Sequence, residues 1–190
     1  DLFRNYKTNG EQLFNYNYKL EIKINIPIAS GLASSACGFA ALVQAFDDLF
    51  NLNLSKQDLS ILARLGSGSA SRSIWDGFVY WQKGNDIYGM DSFAYPINTQ
   101  LADLCIGLLI LSTQQKAIGS TKAMLDTCAT SVLYNKAWKF QVEQDLQLMN
   151  KAILSQDLEL LGETAENNAL AMHATMLAAK PAIMYSNKDS

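Results

Sequence analysis

The segment 27–38 contains the residues whose types and spacing are best suited to chemistry. It reads Pro-Ile-Ala-Ser-Gly-Leu-Ala-Ser-Ser-Ala-Cys-Gly, follows an alternating apolar stretch and leads into a long apolar helical pattern. A helix start presents unpaired backbone N–H groups and a partial positive charge, so it attracts anions. Gly31 allows close approach of the backbone to a ligand, and Ser34 and Ser35 add hydroxyl groups. The segment therefore predicts a phosphate cradle, and the structural alternative is an ordinary strand–turn–helix junction with a serine cap.

A second glycine- and serine-rich segment narrows the interpretation of the first one. Residues 66–73 read Gly-Ser-Gly-Ser-Ala-Ser-Arg-Ser, and residues 77–81 read Gly-Phe-Val-Tyr-Trp. Together with segment 27–38, they resemble the diphosphomevalonate decarboxylase family, a branch of the GHMP superfamily of small-molecule kinases. The first segment is typical of the superfamily, and the second is typical of the decarboxylase branch. Weaker similarity continues at 111–112, 119–121, 124, 173–175 and 181–190.

The resemblance implies a fold and a reaction. The fold would be α+β, a GHMP-kinase-like two-domain fold with a ribosomal protein S5 domain 2-like N-terminal part and a ferredoxin-like C-terminal part. The reaction would be phosphorylation of the 3-hydroxyl of (R)-5-diphosphomevalonate by ATP, with Mg²⁺. Loss of phosphate and carbon dioxide would then give isopentenyl diphosphate, in the mevalonate pathway of isoprenoid biosynthesis. Two alternatives stay open: a related kinase that does not decarboxylate its mevalonate-type substrate, and a non-catalytic relative that binds a metabolite or a partner.

The resemblance also assigns roles to residues. Ser67 and Ser69 match family serines that line the substrate pocket, and Arg72 matches the arginine that pairs with the substrate carboxylate; Ser69 and Arg72 are the expected catalytic residues. The planar fork of a guanidinium can bind both carboxylate oxygens. The structural alternative for Arg72 is a surface salt bridge, worth about 1 kcal/mol or less. The residues expected to hold the ATP phosphates, with Ser34 or Ser35 also contacting the metal, are Gly31, Leu32, Ala33, Ser34, Ser35 and Ala36.

Further positions match the family less closely. Ser120 and Met124 match residues that lie at the substrate diphosphate, but Ser120 could equally be a helix cap. His173, the only histidine, lies in a helical pattern and is expected to pack or cap rather than transfer protons. Ile28 stands where the family usually has threonine, and Ser71 replaces a common cysteine.

The ends of the chain differ from those of the family. The sequence begins at Asp1 and stops at Ser190, whereas family members are considerably longer. We therefore expect an internal fragment, truncated at both ends, with the catalytic aspartate of the family located beyond Ser190.

Composition excludes several classes of protein. The chain has 190 residues, 49% of them apolar and 17% charged, with a net charge of −3. These values are typical of a globular protein and argue against nucleic-acid binding. Cys37, Cys105 and Cys128 are widely spaced, which predicts reduced thiols in a cytoplasmic protein. The sequence contains no membrane-length apolar span, so no membrane contact is expected, and the resemblance implies a homodimer.

Periodicity predicts the elements that must position the candidate residues. Alternation over 18–26 predicts a strand, and the apolar run 104–111 predicts a buried strand. A change of character near residue 100 predicts two domains, a 1–99 domain with the phosphate loop and a 100–190 domain. The expected helices are 34–50, 55–66, 120–133, 136–155 and 157–179, and the expected remaining strands are 77–81 and 93–97.

Overall fold

The computed structural model of the protein describes residues 17–26, 32–99, 101, 104–109 and 118–185. The chain divides into two compact units between Asn98 and Thr99. The first unit contains helices α1 (Ser34–Phe50) and α2 (Lys56–Gly66), a 3₁₀ helix (Gly68–Ile74), and strands β1 (Val79–Trp81) and β2 (Ala94–Pro96). The second contains α3 (Ser120–Thr130), a π-helical turn (Tyr134–Trp138), α4 (Lys139–Ser155) and α5 (Leu158–Leu177).

Both predicted helices of the first unit are confirmed. The Ser55 side chain caps α2, because its Oγ accepts the Asp58 N–H at 3.1 Å and donates to Asp58 Oδ2 at 2.8 Å. This reciprocal pair satisfies a backbone donor that a helix start leaves free. At its other end α2 stops at Gly66, where an added Cβ would overlap the Phe39 ring of α1. The absence of a side chain at Gly66 therefore permits the close approach of the two helices.

Small residues form the contact between the helical elements of the first unit. Ala36 of α1, Ala63 of α2 and Ala70 of the 3₁₀ helix are all buried and make one apolar cluster, against which Val43 and Ile74 pack. Because the methyl side chain of alanine is small and apolar, three alanines can be buried together while the three backbones lie close to one another. This contact sets the distance between the segments that precede Ala36 and Ala70.

The predicted strands at 77–81 and 93–97 are confirmed as a short antiparallel hairpin. Val79 lies opposite Pro96, and Trp81 lies opposite Ala94. The connection is held by the Asp91 carboxylate, which accepts the Asn85 N–H at 2.7 Å and the Asp86 N–H at 3.1 Å. The Asn85 N–H is the main cause that lowers the pKa of Asp91 below its ordinary value.

The three predicted helices of the second unit are confirmed, with changes at their ends. The first ends at Thr130, and the Ser131 Oγ then accepts the Tyr134 N–H at 3.2 Å. Asp157 caps α5 by accepting the Leu160 N–H at 3.0 Å. A buried apolar cluster of this unit consists of Ala123, Met176, Ala179 and Ile183.

Two predicted strands are wrong over their described residues. Neither 18–26 nor 104–109 forms a strand, while 110 and 111 lie outside the described residues. Leu20 is 59% exposed and Ile106 is 82% exposed. An alternating or apolar segment becomes a strand only where a neighbouring strand pairs with it and a core covers one face. The sheet that the structure describes has two strands, β1 and β2, and neither of these segments belongs to it.

Two further expectations concern the cysteine thiols and membrane-spanning helices. Cys37, Cys105 and Cys128 are all free thiols. Among the described residues, no helix is both long enough and apolar enough to cross a membrane.

We predict that enlarging the alanine contact destabilises the first unit. Ala63 is fully buried, so Ala63→Leu adds three carbons to a packed site and should cost about 1–3 kcal/mol of unfolding free energy. Ala45→Leu on the exposed face of α1 is the matched control and should change stability by less than about 0.5 kcal/mol. Urea denaturation of the purified variants measures both, and equal effects would contradict the role given to the contact.

We also predict a pH dependence for the hairpin. Because the pKa of Asp91 is lowered in the folded protein, its stabilising contribution is complete above the ordinary aspartate pKa of about 4. That contribution is lost as the pH falls through the lower, folded-state pKa. The difference in unfolding free energy between wild type and Asp91→Asn should therefore shrink on acidification from neutral pH to about pH 3. A difference that stays constant over this range would contradict the prediction.

Candidate active site

Three serine hydroxyls join the two candidate segments. Ser35 Oγ lies 3.3 Å from Ser67 Oγ, and Ser67 Oγ lies 3.2 Å from Ser69 Oγ. Ser35 belongs to the first turn of α1, whereas Ser67 and Ser69 lie at the junction of α2 and the 3₁₀ helix. The structure therefore brings Ser35 of the first glycine- and serine-rich segment to Ser67 and Ser69 of the second. We call Ser35, Ser67 and Ser69 the serine run.

The start of α1 has free hydrogen-bond donors. Ala33 precedes the helix with a left-handed backbone (φ 53°), and no side chain caps the helix. The Ala36 N–H is used by Ala33 O at 2.9 Å, whereas no acceptor for the Ser34 and Ser35 N–H groups occurs in the described part of the chain. The structural alternative of a serine-capped junction is thus wrong. Two N–H groups for which the described residues offer no acceptor, beside hydroxyls, can bind an anion.

The other residues expected at the phosphates are less informative. Gly31 and Ile28 lie outside the described residues. Leu32 is half-buried, Ala33 is exposed, and Ala36 is buried in the alanine contact. Because the Ala36 N–H is already bonded, the free backbone donors of this turn belong to Ser34 and Ser35.

The Arg72 guanidinium forms no ion pair with a carboxylate of the described residues. Its Cζ lies 5.6 Å from the centre of the Trp81 ring, and the ion pairs of the described residues do not include it. Partial burial lowers the pKa of the guanidinium below its ordinary value, but an arginine stays charged in proteins. The alternative of a surface salt bridge is therefore wrong for the described residues. A charged guanidinium on the 3₁₀ helix that also bears Ser69 can bind an anionic ligand.

A buried serine that the sequence analysis missed anchors the segment bearing Arg72. Ser60 Oγ donates to Ser71 O at 2.9 Å and accepts the Ala94 N–H at 2.8 Å, and both Ser60 and Ser71 are fully buried. Ser71 Oγ in turn donates to Gly68 O at 2.8 Å. Ser60 thus connects α2, the 3₁₀ helix and β2. A signal was available, since Ser60 lies three residues before Ala63 on the buried face of α2.

The second unit contains three further candidate residues, Ser120, Met124 and His173. Ser120 is the first residue of α3, and Gly119, which has no side chain, is the cap residue of that helix. Met124 follows one turn later and is 59% exposed. His173 is half-buried in α5, as expected for a packing residue. The roles of Ser120 and Met124 at a diphosphate stay predictions.

Magnesium fits this site only as a partner of phosphate. The described residues include no group of three or more His, Cys, Asp or Glu side chains arranged around a common point. Mg²⁺ is commonly held by substrate phosphates, waters and one or two oxygen ligands of the protein. The Ser34 hydroxyl is half-buried and has no partner within the described residues, so it can supply such an oxygen.

Comparison with protein families matches almost the whole chain. Residues 1–94 match the diphosphomevalonate decarboxylase-like N-terminal domain, and residues 106–190 match the mevalonate 5-diphosphate decarboxylase C-terminal domain. Among curated proteins, the diphosphomevalonate decarboxylase of Gibberella zeae is 38% identical over 181 residues, which cover 94% of this chain and 47% of that protein. The chain therefore spans about half the length of the curated relatives it matches.

Solved structures of the same family share the fold. The mevalonate diphosphate decarboxylase from Enterococcus faecalis superposes with a TM-score of 0.71 at 41% identity, over 86% of this chain and 49% of that one. A second structure, described as MDDEF in complex with MVAPP, AMPPCP and magnesium, has a TM-score of 0.71 at 40% identity, over 86% of this chain and 50% of that one. The expected α+β fold of the GHMP-kinase type is thereby confirmed.

We predict that Ser60 is needed to hold the segment bearing Arg72. Ser60→Ala removes the side-chain donor to the Ser71 carbonyl and leaves the Ala94 N–H without its side-chain acceptor, which should cost about 1–3 kcal/mol of unfolding free energy. Ser73→Ala, on an exposed serine of the same 3₁₀ helix, is the matched control and should change stability little. Urea denaturation measures the stability, and amide hydrogen exchange should show faster exchange of the Ala94 N–H in Ser60→Ala. Unchanged exchange would contradict the anchor.

Proposed function

Because this chain belongs to the diphosphomevalonate decarboxylase family, we propose that the full-length protein catalyses the ATP-dependent decarboxylation of (R)-5-diphosphomevalonate. The product would be isopentenyl diphosphate, formed after phosphorylation of the 3-hydroxyl. The observation that carries this proposal is the serine run, which leads from the start of α1 to the segment bearing Arg72, an arginine without a carboxylate partner among the described residues. An anion site and a carboxylate site thus adjoin in one unit.

The start of α1 is the proposed site of the donor. The Ser34 and Ser35 N–H groups would bind ATP phosphates, with the positive end of the helix behind them. Ser34 is the better of the two metal ligands, because the Ser35 hydroxyl is shared with Ser67. Bound Mg²⁺ would neutralise charge on the phosphates. The related structure described with AMPPCP and magnesium supports this assignment.

The 3₁₀ helix and the residue before it form the proposed site of the acceptor. Ser67 and Ser69 would donate to the acceptor, and Arg72 would bind its carboxylate through two parallel hydrogen bonds. Phosphoryl transfer requires mainly positioning and charge stabilisation, so pre-placed donors are the chemistry that the protein must supply. The related structure described with MVAPP supports an acceptor of this kind.

We extend the proposal to the rest of the chain. The part before residue 100 would be the N-terminal-type domain with the phosphate loop, and residues 100–190 would be a C-terminal-type domain in which Ser120 and Met124 contact the diphosphate. The two family matches and the division between Asn98 and Thr99 support these domains. Three free thiols suit a cytoplasmic location, and a homodimer rests on the family resemblance. Sedimentation of the full-length protein tests the homodimer.

One assay tests the reaction. The full-length protein is supplied with ATP, magnesium and, in separate reactions, 5-diphosphomevalonate, mevalonate 5-phosphate or mevalonate. Release of ADP and carbon dioxide in equal amounts from 5-diphosphomevalonate alone is the expected result. ADP without carbon dioxide would instead identify a kinase, and neither product from any acceptor would identify a non-catalytic relative.

We predict that Arg72 acts on the acceptor rather than on the nucleotide. Arg72→Leu should lower kcat/KM for 5-diphosphomevalonate by roughly two to three decades, equivalent to about 2–4 kcal/mol of transition-state stabilisation, while nucleotide affinity changes little. Lys83→Leu removes an exposed positive charge from the same unit and is the matched control. Steady-state kinetics and nucleotide titration provide the two measurements. Near-normal kcat/KM in Arg72→Leu would reject the assignment.

A further inference from the structure

Trp81 lies against Arg72 and is held in place at its own edges. The Arg72 Cζ is 5.6 Å from the centre of the ring. Trp81 Nε1 donates to Ser92 Oγ at 3.2 Å, and Ser92 Oγ donates to Gln82 O at 3.1 Å. At the other edge, a Cβ added to Gly68 would come within 2.8 Å of Trp81 Cη2. The ring therefore has a hydrogen bond on one side and a close backbone on the other.

An aromatic ring beside Arg72 leaves the guanidinium more able to bind a ligand than a carboxylate partner would. A carboxylate partner would occupy the N–H donors of Arg72 and neutralise its charge. A ring attracts the same cation through its electron-rich face without accepting those N–H bonds. A guanidinium supported in this way keeps its donors and its charge for an incoming carboxylate.

Two features of the unit show that the ring is confined rather than incidentally close. Trp81 is half-buried and belongs to β1, where Ala94 of β2 pairs with it. Gly68 opens the 3₁₀ helix that bears Arg72, and the Ser71 side chain ties that helix to Gly68 O. The ring and the arginine are thus mounted on elements that Ser60 connects, because its Oγ donates to Ser71 O of the 3₁₀ helix and accepts the Ala94 N–H of β2, the strand paired with β1.

We propose that Trp81 is a positioning residue that orients the Arg72 guanidinium toward the carboxylate of the acceptor, with Ser92 and Gly68 setting the position of the ring. This inference deepens the proposed function and rests on it in one respect, the identity of the acceptor. Trp81 acts through Arg72 and is not itself a catalytic residue. Its loss should therefore affect the acceptor and spare ATP.

Kinetics of the full-length protein test the effect on the acceptor. Trp81→Leu should lower kcat/KM for 5-diphosphomevalonate roughly ten-fold, a size that matches a partly buried cation–π contact, with KM for ATP unchanged. Trp81→Phe keeps a ring face and should recover most of the loss. Trp75→Leu removes a half-buried tryptophan that lies beside Lys56 rather than Arg72 and is the matched control. A phenylalanine variant no better than the leucine variant would overturn the proposal.

A measurement without substrate separates this inference from the proposed function. NMR relaxation of the Arg72 Nε–H group in the ligand-free full-length protein reports how well the guanidinium is ordered. The order parameter should fall most in Trp81→Leu, and it should fall by a smaller amount in Ser92→Ala and in Trp81→Phe, because both keep a ring face but lose the Nε1–Ser92 bond. An unchanged value in Trp81→Leu would overturn the support by Trp81, whatever the activity. A lower value in a protein that does not act on 5-diphosphomevalonate would retain that support and reject the acceptor.

Discussion

The contact of three alanines is the constraint on which the site depends. Ala36, Ala63 and Ala70 come from three different elements and are buried together. The serine run lies immediately beside this contact in the chain, since Ser35 precedes Ala36 and Ser69 precedes Ala70. The Oγ–Oγ distances of 3.2 and 3.3 Å require the backbones that carry these serines to lie close together. A larger side chain at any of the three positions would separate the hydroxyls, because protein interiors have little free space.

Polar contacts then set the direction in which the site faces. The Ser60 hydroxyl donates to the Ser71 carbonyl and accepts the Ala94 N–H. Both backbone groups therefore have a hydrogen-bond partner at the junction of three elements. The capping pair at Ser55 and Asp58 sets the start of α2, and Gly66 allows its end to reach α1. The apolar contact thus determines the separation of the elements, and the hydrogen bonds determine their orientation.

Charge is distributed in this unit in a way that suits anionic ligands. In the part of the chain that the structure describes, the first N–H groups of α1 have no acceptor, and Arg72 lies on an aromatic ring rather than on a carboxylate. The acidic groups of the hairpin are used internally, since Asp91 accepts backbone N–H groups of its own loop. Within the described residues, the Ser34 and Ser35 N–H groups therefore have no acceptor and Arg72 has no carboxylate partner, while the Asp91 carboxylate is used inside its own loop.

Local pattern determined a large part of this protein. Helical periodicity, the Ser55 cap and the spacing of the hairpin strands are properties of neighbouring residues, so the sequence was sufficient to predict α1, α2, β1 and β2. The two serine-rich segments likewise identified the family, and they contain Ser35, Ser67 and Ser69, whose hydroxyls the structure brings together. Tertiary structure decided the rest. Residues 18–26 and 104–109 have strand-like patterns without strands, because pairing needs a neighbour that a pattern does not contain. Ser60 and Trp81 acquire their roles only through partners distant in the chain, Ala94 for one and Arg72 for the other.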